Sequence, residues 1–109
     1  MITESLQERR REARRPVEMV ARLRLGISTI TVILTDLTRH GARIESIGNL
    51  EPDDAVSLSL PGMRPMLAFV AWSKEHGAGL EFSEPLSQEA FAELIGTYGL
   101  DSDAKSLAN

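Results

Sequence analysis

Between residues 21 and 82 the apolar side chains recur at every second position, in short runs broken by Gly and Pro. A period of two is the spacing of a strand with one buried face, whereas an amphipathic helix repeats its apolar positions every three or four residues. In "ARLRL" (21–25), Ala21, Leu23 and Leu25 share a face and Arg22 and Arg24 take the other. "STITVILT" (28–35) is rich in β-branched residues and sets Ile30, Val32 and Leu34 on one face. "GARIES" points Ala42 and Ile44 inward, "AVSLSLP" aligns Val56, Leu58 and Leu60, and "AGLEF" turns Leu80 and Phe82 inward. Only "MLAFVAWS" (66–73) is apolar on both faces, as expected of a strand covered on both sides or closing a barrel. Six short strands separated by turns such as "PGMRP" and "KEHG" predict an all-β barrel or sandwich.

The two ends differ from this body. "TESLQERRREARR" (3–15) is charged and poor in apolar residues, and reads as either a short helix or a disordered arm that Pro16 terminates. Near the other end, Ser87 is a good helix N-cap, and Phe91, Leu94, Ile95 and Tyr98 fall at i, i+3, i+4 and i+7. Their stripe is expected to pack on the barrel, with Gly99 placed to end the helix. The expected organisation is a basic arm over 1–15, one domain over 16–99 and a disordered tail over 100–109.

The chain has 109 residues and no cysteine, so thiolate chemistry and cysteine-ligated zinc are excluded. With two well-separated histidines, no Gly-rich phosphate loop and no carboxylate cluster of ligand spacing, neither a catalytic set nor a metal site is expected. The net charge of −4 is uneven: residues 1–25 carry seven Arg against four Glu, a balance of +3 that leaves −7 for the other 84 residues. An acidic body with 5% aromatics argues against general nucleic-acid binding, while leaving room for a local anion site near the arm. No apolar run approaches the roughly 20 residues that span a bilayer, and no signal-peptide core is apparent, so a cytoplasmic protein without membrane insertion is expected.

Two motifs stand out. The arm contains "RRREAR" (9–14), with Arg10 and Arg14 four apart and Arg9 before them; Arg11 and Arg15 fit the same spacing one register later. After the second strand comes "DLTRHG", in which Asp36, Thr38 and Gly41 form a D-x-T-x-x-G turn. In this order, separated by about 22 residues of strand and followed by "VAW", "AGLEF" and a terminal helix, they make the chain resemble the PilZ domain family over roughly residues 9–98. That family carries RxxxR and [D/N]xSxxG, so Thr38 stands where Ser is usual.

The resemblance implies a six-stranded antiparallel β-barrel with a C-terminal helix packed on it, which binds cyclic di-GMP and signals to an unidentified partner protein as a monomer or weak dimer. The residues suit that ligand, a dianion bearing two guanines. The planar fork of arginine pairs with guanine O6 and N7 or with phosphate, and its face stacks on a base. The implied ligand set is Arg9, Arg10, Arg14, Asp36, Thr38, Arg39 and Gly41. Asp36 would accept from guanine N–H groups, Thr38 would reach a phosphate or base edge, and Gly41 would supply the backbone freedom that aims both outward. No cofactor is expected beside this ligand.

Plainer readings stand alongside. The arginines also suit a solvated helix face paired with Glu8 and Glu12, and Asp36 also suits an Asx-turn. His40 and His76 read as exposed turn residues, and Trp72 as core. The alternative function is a PilZ adaptor that binds proteins and not the nucleotide.

Overall fold

The computed structural model describes residues 15–45 and 49–100. Six strands, β1 (Arg15–Leu25), β2 (Ser28–Leu37), β3 (Gly41–Glu45), β4 (Ala55–Ser59), β5 (Met66–Lys74) and β6 (Gly77–Phe82), precede one helix, α1 (Gln88–Tyr98). Every strand pairing is antiparallel, and the order β1, β2, β3, β6, β5, β4 closes into a barrel. Closure comes from a short ladder in which Arg22, Leu23 and Arg24 of β1 meet Ser59, Leu58 and Ser57 of β4.

The period-two pattern explains the interior. Val17, Met19, Ala21 and Leu23 of β1 all lie inward, facing Val32 and Leu34 of β2, Ile44 of β3 and Leu58 of β4. Among the described residues no polar or charged side chain is buried, so the barrel is held by apolar packing. The first strand begins at Arg15, six residues before the run that starts at Ala21, because Val17 and Met19 continue the alternation across Pro16. Arg15, expected in the arm, is therefore part of β1. The hairpin between β1 and β2 has two loop residues, with Gly26 at φ +64 in its first position as such a turn requires.

The alternation is broken twice with functional effect. A register shift between Leu34 and Asp36 in β2 changes the phase, so that Leu34 and Leu37 both point inward and Asp36 turns out. A second shift, between Val70 and Trp72 in β5, keeps Val70 inside and puts both Ala71 and Trp72 outside. Each is a β-bulge, one extra residue on one strand of a pair. Trp72, expected in the core, thus lies on the outer face with 37% of its surface exposed. The outward apolar residues Leu67 and Phe69 of β5 are also exposed, so the two-faced strand marks closure of the barrel and not a second covering layer.

Ser87 caps α1, its hydroxyl accepting the Ala90 N–H at 3.0 Å. Leu94 is buried, and Phe91, Ile95 and Tyr98 pack against the core as the stripe predicts. Gly99 ends the helix for a different reason from the left-handed cap: it is extended (φ −68, ψ 142), and a Cβ there would lie 2.5 Å from the Ile95 carbonyl oxygen. From this point the chain bridges back to Val17.

Leu23 is fully buried at the closing ladder, and Val20 points outward on the same strand. Leu23→Ala is expected to cost about 3 kcal/mol and Val20→Ala less than about 0.5 kcal/mol, measured by urea unfolding. Equal losses at the two positions would contradict the inward and outward assignment.

Candidate functional site

The turn between β2 and β3 is built around one hydroxyl. Thr38 Oγ1 accepts the N–H groups of His40 and Gly41, each at 2.9 Å, and donates to the Gly41 carbonyl at 3.3 Å. The Thr38 N–H donates to the same carbonyl at 2.9 Å, closing the turn. The hydroxyl therefore shapes the loop from within, at the wall of the cleft described below. Serine supplies the same bonds, which accounts physically for either residue at this place.

Gly41 is required by close approach. A Cβ there would run into the backbone carbonyl of Leu80, the residue before Gly41's ladder partner Glu81 on β6. Its backbone is not left-handed, so the conformational freedom expected from the motif is not what this position uses. The turn is further tied to the barrel by Phe82 N–H donating to the His40 carbonyl at 2.8 Å.

Asp36, turned outward by its bulge, sits at the edge of two adjoining clefts on the outer wall of the barrel. One, of about 270 Å³, is lined by Asp36, Thr38, His40, Gly41, Arg43, Trp72 and Gly79 among others. The other, of about 730 Å³, shares Asp36, Arg43 and Trp72 and extends past Lys74 to the loop at His76. Trp72 stands between them with its indole over Gly79, where any side chain would collide with the ring. The Arg43 guanidinium and the Lys74 ammonium each lie 5.6 Å from the ring centroid, within cation-π range. Together they give an aromatic plane flanked by two cations and one carboxylate.

The first cleft gathers three of the expected residues, Asp36, Thr38 and Gly41, and adds His40. Arg39 is not in it: its Nε donates to the Leu86 carbonyl at 2.8 Å while the Leu86 N–H donates to the Arg39 carbonyl at 2.8 Å, a clamp between the turn and the start of α1. Arg9, Arg10 and Arg14, with the alternative partner Arg11, lie outside the described residues, as does most of the expected tail. The strand that follows the arm starts in the right place, however: Arg15 pairs with Leu37 and Pro16 with Asp36. Two contributors were missed from sequence. Arg43 read only as the outward member of an alternating strand, and Trp72 was assigned inward because nothing in "VAWS" announces a bulge. Among the described residues no group of three or more His, Cys, Asp or Glu side chains is placed to hold a metal ion.

The role of the hydroxyl is separable from that of its methyl. Thr38→Ser is expected to leave stability within about 0.5 kcal/mol, whereas Thr38→Val strips two N–H groups of their acceptor and costs about 1–2 kcal/mol in urea unfolding. Equal stability of the two variants would show that the turn does not depend on this bond.

No curated protein matches the chain. A family model, PilZ domain, matches residues 8–98, a span that takes in both arginine registers of the arm, the whole barrel and α1. PilZ domains are binding and adaptor modules, and the motif turn, the closed six-stranded barrel and the terminal helix all lie within the match. By that match, which covers most of its length, the chain belongs to the PilZ domain family.

Proposed function

We propose that this PilZ domain is a receptor for cyclic di-GMP, binding it on the outer wall of the barrel between the β2–β3 turn and the N-terminal arm. The observation that carries this reading is the convergence of the Asp36 turn, Arg43 and Trp72 on one cleft beside the first residues of β1. Arg14 is one peptide bond from Arg15, and Arg10 is five residues from it. At about 3.3–3.6 Å per extended residue the Arg10 Cα stays within roughly 18 Å of the Arg15 Cα. Both motif arginines can therefore reach a ligand lying against Asp36.

The parts have complementary chemistry. The carboxylate of Asp36 accepts from the N1–H and N2–H edge of a guanine. The indole of Trp72 offers a face for the base, and stacking of this kind is worth about 1–3 kcal/mol. Arg43 meets a phosphate or the O6 and N7 edge, and Arg10 and Arg14 close over the dianion. In this reading the role of these groups is recognition of the nucleotide. Docking of the arm over the bound nucleotide, against a turn held by the Arg39 to Leu86 clamp, would change the surface offered to a partner protein. Because this messenger is an intracellular nucleotide, the proposed site of action is the cytoplasm.

Calorimetric titration with cyclic di-GMP, with GTP and the linear dinucleotide as controls, tests the reading. Micromolar or tighter binding is expected, falling as salt rises, abolished in Arg10→Ala/Arg14→Ala and weakened roughly tenfold in Trp72→Ala. Absence of heat together with an unchanged melting temperature would overturn it in favour of the adaptor function.

A further inference from the structure

α1 and the "PGMRP" connection from β4 to β5 border a groove that shares no lining residue with the clefts at Asp36. It consists of two clefts, of about 420 and 280 Å³, that meet at Met63 and Ala90. The lining is mostly apolar, with Met63, Met66 and Leu67 on the strand side and Leu86, Leu94 and Tyr98 on the helix side. Leu67 is exposed, and so is Phe69, the next outward residue of β5, so the apolar surface runs on along the strand. The two methionines are half-buried, and unbranched thioether side chains of this kind repack readily around whatever they meet.

The charges of the groove have one sign. Glu84 lines one cleft and Glu93 the other, both exposed, and among the described residues no Lys, Arg or His lines either. Arg64 is exposed between Met63 and Pro65 but belongs to neither lining. Glu89, in the first turn of α1, adds a further exposed carboxylate on the same helix. An apolar trough between carboxylates complements a segment that carries apolar side chains on one face with Lys or Arg beside them. An anionic lipid surface would meet like charges there. The groove also adjoins the motif turn, because Leu86 lines it while exchanging backbone hydrogen bonds with Arg39 and accepting from the Arg39 side chain.

We propose that this groove docks a basic amphipathic segment of a partner protein, with apolar side chains seated on Met63, Met66 and Leu86 and cations paired with Glu84 and Glu93. The docking stands on the groove alone. Its use as the output face of a nucleotide receptor rests on the receptor reading.

The test uses the whole chain without nucleotide. Backbone amide NMR shifts are followed during titration with a synthetic leucine–lysine amphipathic peptide, and with leucine–glutamate and serine–lysine peptides of the same pattern. Only the leucine–lysine peptide is expected to bind, more weakly as salt rises, with shifts concentrated in residues 61–67 and 84–98. Glu84→Lys/Glu93→Lys is expected to weaken that binding about tenfold and to accept the leucine–glutamate peptide instead. Glu51→Lys/Glu75→Lys makes the same change of net charge outside the groove, and is expected to leave binding within about twofold of the parent. Equal losses in the two double variants would reduce the effect to net charge and overturn the proposal, as would shifts centred elsewhere or equal binding of the serine–lysine peptide. Sedimentation supplies the remaining outcomes. Self-association abolished both by Glu84→Lys/Glu93→Lys and by Ile27→Asp, at the 96% exposed tip of the β1–β2 hairpin, would overturn it in favour of a second copy of the chain. Cosedimentation of the parent chain with vesicles of anionic phospholipid, lost when Leu67 is changed to Asp, would overturn it in favour of a membrane.

Discussion

Strand phase is the constraint on which the molecule depends. A small barrel closes only if every strand delivers one apolar row to the interior, and here that row is continuous from Val17 to Phe82 with no buried polar side chain among the described residues. A strand in unbroken phase would bring Asp36 and Trp72 inward, because each is two residues beyond an inward side chain, Leu34 and Val70. Burying the carboxylate without a partner would cost several kcal/mol, and the indole would crowd a space filled by Val70 and Leu80. One inserted residue in each of two strands reverses both orientations at once. The bulges are what convert a packing scaffold into a wall with a polar, aromatic cleft.

The turn beside this cleft is rigid for reasons internal to it. Thr38 closes it, Gly41 lets it approach Leu80, and Phe82 and Leu86 hold its carbonyls from the neighbouring elements. The turn is thereby tied to the end of β6 at Phe82 and, at Leu86, to the segment just before α1. A cleft framed by such a turn presents Asp36 and Arg43 from a backbone held on several sides.

The sequence disclosed those features whose cause is local. Alternation in "GARIE" and "AVSLSL" identifies inward residues because each strand is half polar, and the helix is legible from Ser87 and its stripe. Asp36, Thr38 and Gly41 are legible as a motif, although the motif does not say that the threonine bonds its own turn or that the glycine answers to Leu80. The phase of β5 could not be read, since "LAFVAW" is apolar at every position and a bulge within it changes no pattern. Arg43 and Arg39 show the complementary difficulty. Both are exposed-looking arginines in a polar stretch, and only the fold sends one to an indole and the other to the Leu86 carbonyl.

Trp72 is the sole tryptophan of the chain, and it stands on the partition between the two clefts with cations on either side. Its emission consequently originates from a single, half-exposed indole whose surroundings are the cleft itself. The protein carries its own optical label there. Any molecule that enters either cleft, dries the ring or draws Arg43 away will alter the colour or yield of that light, without a dye and without disturbing the barrel behind it.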